Sequence, residues 1–249
     1  MLFADHLSRS ISKSFCMKYG IGLLLILFSM NSISQNTQLP PDWANLKRYA
    51  AENSKLKAPA KNEKRIVFMG NSITEFWKVL DSSFFNNPSY INRGISGQTT
   101  PQILLRFQQD VVNLKPAVVV IMAGINDIAQ NTGPMTLEQS FNNIVSMVQL
   151  AVKNKIKVIV SSVLPANAFP WRPQIKPADQ VIALNSMLQK YCKSHALIYL
   201  NYYPHMVDDA KGLDKKYSND GVHPTLAGYL IMDPLVKEAI QKIIARKSK

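Results

Sequence analysis

The chain has 249 residues, 47% of them hydrophobic and 18% charged, and carries a net charge of +13. That length suits one α/β domain with a sizeable core, and the composition excludes a disordered or fibrous chain. The basic residues are scattered rather than blocked and no nucleic-acid motif accompanies them, so nucleic acid is not an expected partner. The charge favours an acidic polymer or anionic surface, with plain solubility as the simpler reading.

The first element is an unbroken apolar run from Tyr19 to Met30, preceded by Lys18 and followed by Ser32-Ile33-Ser34. A basic flank, a short apolar core and a small-x-small exit describe a cleaved secretory signal over residues 1–34, not a spanning helix. The expected location is therefore periplasmic or extracellular, with no stable membrane insertion after cleavage. Residues ahead of Lys18 add nothing to such a signal, which points to translation starting at Met17. Cleavage removes Arg9, Lys13, Lys18 and Asp5, leaving 26 basic and 15 acidic residues and a net charge of +11. Of the two cysteines, Cys16 goes and Cys192 stays, so no internal disulfide is expected. No cysteine follows the apolar run, so a lipid-attached N-terminus is not expected there.

Residues 35–62 are polar, contain Pro40-Pro41, and read as an arm with a short helix around Trp43 to Tyr49. Residues 63–249 then alternate between two patterns. Apolar, β-branched runs at Arg65–Gly70, Tyr90–Asn92, Ala117–Ala123, Lys157–Val163 and Leu197–Tyr202 predict five strands. Helical patterns separate them. Over Thr136–Lys153, Phe141, Ile144, Val145, Val148 and Val152 recur at helical spacing, and Thr136 with Gln139 forms a capping box. The last helix is predicted over Thr225–Arg246, kinked at Pro234. Strands apolar on both faces, interleaved with amphipathic helices, predict a five-stranded parallel sheet in a single α/β domain.

In such a sheet ligands bind beyond the carboxyl ends of the strands, where the strand order reverses. Gly70-Asn71-Ser72-Ile73-Thr74 follows the first strand, Arg93-Gly94-Ile95-Ser96-Gly97 the second, and Gly124-Ile125-Asn126-Asp127 the third. In a flavodoxin-like order, 2-1-3-4-5, these three segments are neighbours with Ser72 in the middle. Acyl transfer needs a nucleophile paired with a base, and fixed donors facing the developing oxyanion. Ser72 offers a hydroxyl and a backbone N–H at a helix start, Gly94 an approachable amide and Asn126 a side-chain NH₂. The base comes from Asp220-Gly221-Val222-His223-Pro224, where a carboxylate three residues before a histidine can orient the ring. The long connection from His205 to Asn219 would let His223 reach the first strand. Taken alone, Ser72 reads as a helix N-cap and Asp-Gly as a turn. It is their joint order along the chain that points to catalysis.

With these four segments in place the sequence resembles the SGNH hydrolases, also called the GDSL family, from Gly70 to His223. The resemblance implies a three-layer α/β/α fold and a Ser72–His223–Asp220 triad. It implies an oxyanion hole from the Ser72 and Gly94 amides and Asn126, and neither a metal nor an organic cofactor. Asn71 stands where the family name has Asp and Ile73 where it has Leu, departures that leave the catalytic residues intact. The Gly-x-Ser-x-Gly elbow of α/β-hydrolases is absent, because Thr74 occupies its second glycine position.

The segment Pro165 to Pro173 follows the fourth strand at the same edge. Phe169 and Trp171 there could stack on a sugar ring while Arg172 grips a polar group, or the two aromatics could simply pin the loop. Trp77 reads as core, and His195 and His205 as surface residues. An exported member without a greasy lid is similar to bacterial carbohydrate esterases, which implies removal of O-acetyl groups from a glycan. The alternatives are a lysophospholipase or thioesterase acting on longer acyl chains, acetyl transfer to another sugar, and a catalytically silent glycan-binding module on the same fold.

Overall fold

The computed structural model describes residues 42–246. The apolar run, the expected signal and the first part of the arm lie outside these residues. Five short strands form the sheet: β1 Ile66–Gly70, β2 Tyr90–Gly94, β3 Val118–Met122, β4 Lys157–Ser161 and β5 Ile198–Leu200. All pairings are parallel and the order is β2-β1-β3-β4-β5, the flavodoxin-like order expected from the sequence. Every residue of β1 and β3 is buried, as sheet strands covered on both faces must be.

Seven helices follow the arm helix α1 (Ala50–Lys55): α2 Ser72–Leu80, α3 Thr100–Asp110, α4 Ile125–Ile128, α5 Leu137–Lys153, α6 Ala178–Ser194, α7 Tyr203–Met206 and α8 Leu226–Ala245. Contacts run α3 to α5 to α6 in one layer and α2 to α8 in the other. The capping box on α5 forms as read, with Thr136 accepting from Gln139 N and the Gln139 side chain accepting from Thr136 N. Helix α8 continues through Pro234 without interruption. Trp77 is core, 1% exposed and stacked on Phe84 and Tyr229. Cys192 is buried on α6, where burial pushes its thiol up to about 11.

The arm differs from the reading of its sequence. Residues 42–49 form turns, and the helix begins only at Ala50. Asp42 and Asn45 adopt φ of 60° and 53°, left-handed values that interrupt a helix. The Asp42 carboxylate accepts from Leu46 N and Lys47 N, stabilising the turn instead.

Candidate active site

Parallel pairing holds Gly70 level with Gly94 on one side and with Met122 on the other. The three loops leaving β1, β2 and β3 therefore start side by side. Gly70 lets the turn before Ser72 pack tightly, since a Cβ there would lie 2.2 Å from Thr74 Oγ1 and 2.6 Å from Met122 O. Asn71 is the N-cap of α2 and accepts from Ile73 N, which places Ser72 at the first helical position. The Ser72 N–H is thus among the helix-start donors that intrahelical bonding leaves over.

Ser72 Oγ lies 2.9 Å from His223 Nε2, and His223 Nδ1 lies 2.7 Å from Asp220 Oδ2. With the proton on Nδ1, Nε2 is left to accept from the serine. Asp220 is held by its neighbours, as Oδ1 accepts from Val222 N and His223 N at 2.9 and 2.8 Å. Partial burial pulls the Asp220 carboxyl upward. The hydrogen bonds from His223 and Val222 outweigh it, and the net shift is below the ordinary carboxylate value. An ionised Asp220 is what an imidazolium at His223 needs. The hydroxyl of Ser218 accepts from Gly221 N and donates to His223 O at 2.8 Å, closing the turn. The long connection before it is structured, with α7 and an isolated bridge between Val207 and Leu213.

Asn126 sits in the single turn of α4, 4% exposed. One of its Nδ2 hydrogens is fixed by Gln98 O at 2.9 Å, leaving the other to donate elsewhere. Gly94 does not fit the oxyanion role expected of it. Its N–H donates to Asn92 Oδ1 at 2.9 Å, and its missing side chain serves packing, since a Cβ would lie 2.1 Å from Glu75 N. The approachable glycine of this loop is Gly97. It has a φ of +77° and open space where a Cβ would be, and its N–H has no hydrogen-bond partner among the described residues. The signal for it was in the sequence, as the second glycine of Gly94-Ile95-Ser96-Gly97, three residues before the start of α3.

Asp127, beside Asn126, is a structural cap. Burial raises its carboxyl, and it accepts from Thr100 N at the start of α3.

The loop after β4 divides the three residues assigned to substrate contact. Phe169 is fully buried and cannot touch a ligand, so it pins the loop. Trp171 is 43% exposed, packs on Phe169 at 5.3 Å, and its ring lies 6.2 Å from that of His223. Its Nε1 donates to Asn131 Oδ1 at 3.4 Å, while Asn131 Nδ2 donates to Gly97 O at 3.3 Å. Arg172 is half-buried next to it. The Phe76 ring lies 5.4 Å from that of His223 and, with Leu80, Pro224 and Leu226, lines a hollow of about 390 Å³. Among the described residues no group of three His, Cys, Asp or Glu side chains is gathered as metal ligands would be.

The model of the GDSL-like Lipase/Acylhydrolase family matches residues 68–231. A solved structure of a GDSL-like lipase from Bacteroides thetaiotaomicron VPI-5482 is 54% identical, with a TM-score of 0.78, covering 80% of this chain and 98% of that one. Esterase TesA of Pseudomonas aeruginosa is 31% identical over 138 residues, 55% of this chain and 62% of its own. The uncharacterized lipoprotein YqeF of Bacillus subtilis is 38% identical over 90 residues, 35% of this chain and 37% of its own. The matched part thus spans less than two thirds of either curated relative.

Proposed function

The chain belongs to the GDSL-like lipase/acylhydrolase family, and from that membership we propose that it is a serine esterase removing short acyl groups, chiefly acetyl, from carbohydrate. The observation that carries the reading is the unbroken line Ser72 Oγ, His223, Asp220, with links of 2.9 and 2.7 Å. His223 Nε2 takes the hydroxyl proton as Ser72 Oγ bonds to the ester carbonyl carbon. The carbonyl oxygen, now negative, is met by the N–H groups of Ser72 and Gly97 and by Asn126 Nδ2. His223 returns the proton to the departing alcohol, and water then repeats the sequence to release the acid and restore Ser72. Trp171, exposed beside His223, is the stacking platform for a sugar ring. The apolar run at Tyr19–Met30 and the similarity to a protein named as a lipoprotein support export to the periplasm or beyond.

One observation favours a second reading. The hollow walled by Phe76, Leu80 and Leu226 is mostly apolar and shares His223 with the site, which suits a longer acyl chain. A series of p-nitrophenyl esters from acetate to palmitate separates the two, run beside acetate release from O-acetylated glycans. The proposal expects kcat/KM highest at acetate, acetate release from glycan, and loss of both in Ser72→Ala with an unchanged Tm. A maximum at long chains replaces it with the second reading, and no hydrolysis of any ester leaves a silent binding module.

A further inference from the structure

We propose that the arm segment 42–53 is a working part of the catalytic apparatus, with Gln98 the positioning residue through which it orients Asn126. This rests on the reading of Asn126 as an oxyanion donor. The segment lies outside the stretch matched by the family model, which begins at residue 68.

Asn126 can aim one N–H at an oxyanion only if the other is held, and the holder is the backbone carbonyl of Gln98. The direction of that carbonyl is fixed by the side chain of the same residue, which is 3% exposed and bonded at both ends. Its Oε1 accepts from Arg106 Nε at 2.6 Å, and its Nε2 donates to Ala44 O in the arm at 2.7 Å. Arg106 is fully buried, paired with Asp110 at 3.1 Å, and donates through NH2 to Gly70 O at 2.8 Å, two residues before Ser72. One buried network therefore joins the arm, the oxyanion amide and the nucleophile turn.

The arm is clasped along its length by the same helix. Gln102 Nε2 donates to Trp43 O at 2.7 Å and Gln109 Nε2 to Leu46 O at 2.6 Å. Asn53 bridges Arg93 and Asp110, and the Tyr49 hydroxyl donates to Gly94 O at the root of the loop that carries Gly97. Gln98, Gln102 and Gln109 thus read arm carbonyls from one stripe of α3 and its lead-in. Arm residues that only tethered the chain would have no reason to bond the residue that holds Asn126.

The test is acetyl-ester kinetics on the full chain for Gln98→Met, Gln98→Glu, Asn126→Ala and the two doubles. Gln98→Met removes both side-chain bonds, whereas Gln98→Glu keeps the acceptor for Arg106 and loses the donor to Ala44 O. Because a whole oxyanion donor is worth roughly 10²–10³ in rate and small misplacements cost a large share of that, each Gln98 variant should lower kcat about 10- to 50-fold with KM within about twofold. Added to Asn126→Ala, either should cost less than about threefold more, since residues acting as one unit are not additive. An unchanged kcat, a loss lying in KM, or equal factors in both backgrounds overturns the inference. If Asn126→Ala alone leaves kcat intact, the oxyanion reading fails instead. Should both Gln98 variants fail to fold, Tyr49→Phe, which deletes one arm hydrogen bond and almost no volume, carries the test. It should then lower kcat about threefold at constant KM, and an unchanged kcat overturns the inference.

Discussion

Ser72 and Asn126 are almost wholly covered, at 5% and 4% exposure, whereas the His223 and Asp220 side chains keep 25% and 40% of theirs. The covered pair is placed by distant parts of the chain, through strand ends held level, a buried Arg106 and an arm carbonyl. The exposed pair is placed by bonds confined to six residues, from Ser218 to His223. Changes in the first half should therefore trade stability against rate, while changes in the second should cost rate and leave the fold alone.

The largest separation is expected from Asp220→Asn, where an amide beside Nδ1 favours the wrong tautomer. We expect kcat to fall about 10³–10⁴-fold with Tm nearly unchanged, measured by ester kinetics and calorimetry. A large drop in Tm would mean that the turn 218–223 supports the fold after all. The two loop glycines sharpen the contrast within a single segment. Gly94→Ala drives a methyl group into the backbone of α2 and should cost about 3 kcal/mol or more in denaturant unfolding. Gly97→Ala meets no neighbour and pays only for its positive φ, about 1 kcal/mol, so its effect should appear in kcat instead. Equal stability losses at both would remove the distinction drawn between them.

An effect on stability alone lies away from the site, where α2 and α8 meet. Burial first, and then the nearby Asp81 carboxylate, raise Asp233 to about 6. A carboxyl raised on folding binds its proton more tightly in the folded chain. The stability it contributes is full below about pH 4, falls as pH rises through the folded value, and is lost above it. Asp233→Asn should thus raise stability by about 1–3 kcal/mol at pH 7–8 and by little at pH 4, read from urea unfolding at both. A gain of equal size at both pH values would contradict the assignment.

Much of this was legible in the sequence because it was local. The five strands were marked by β-branched runs, and Ser72, Asn126 and Asp220–His223 by their places after strands and before α8. What was missed depended on contacts the sequence does not print. Gly94 and Gly97 lie three residues apart in one loop, and only the Asn92 side chain and the approach of α2 show which amide is occupied. Phe169 and Trp171 look alike as loop aromatics, but one is buried beneath the other. The arm reads as helical at Trp43–Tyr49 because its pattern does not reveal the left-handed turns at Asp42 and Asn45. Gln98 carried no motif at all, and its importance lies in what its two side-chain ends touch.

The most direct test of the account is to treat the purified chain with a fluorophosphonate and map the adduct by peptide mass spectrometry. One adduct per chain is expected, on the peptide containing Ser72, formed in step with loss of esterase activity and sharply slowed in His223→Ala. An adduct on another residue that tracks the inactivation, or full activity with Ser72 modified, would contradict it.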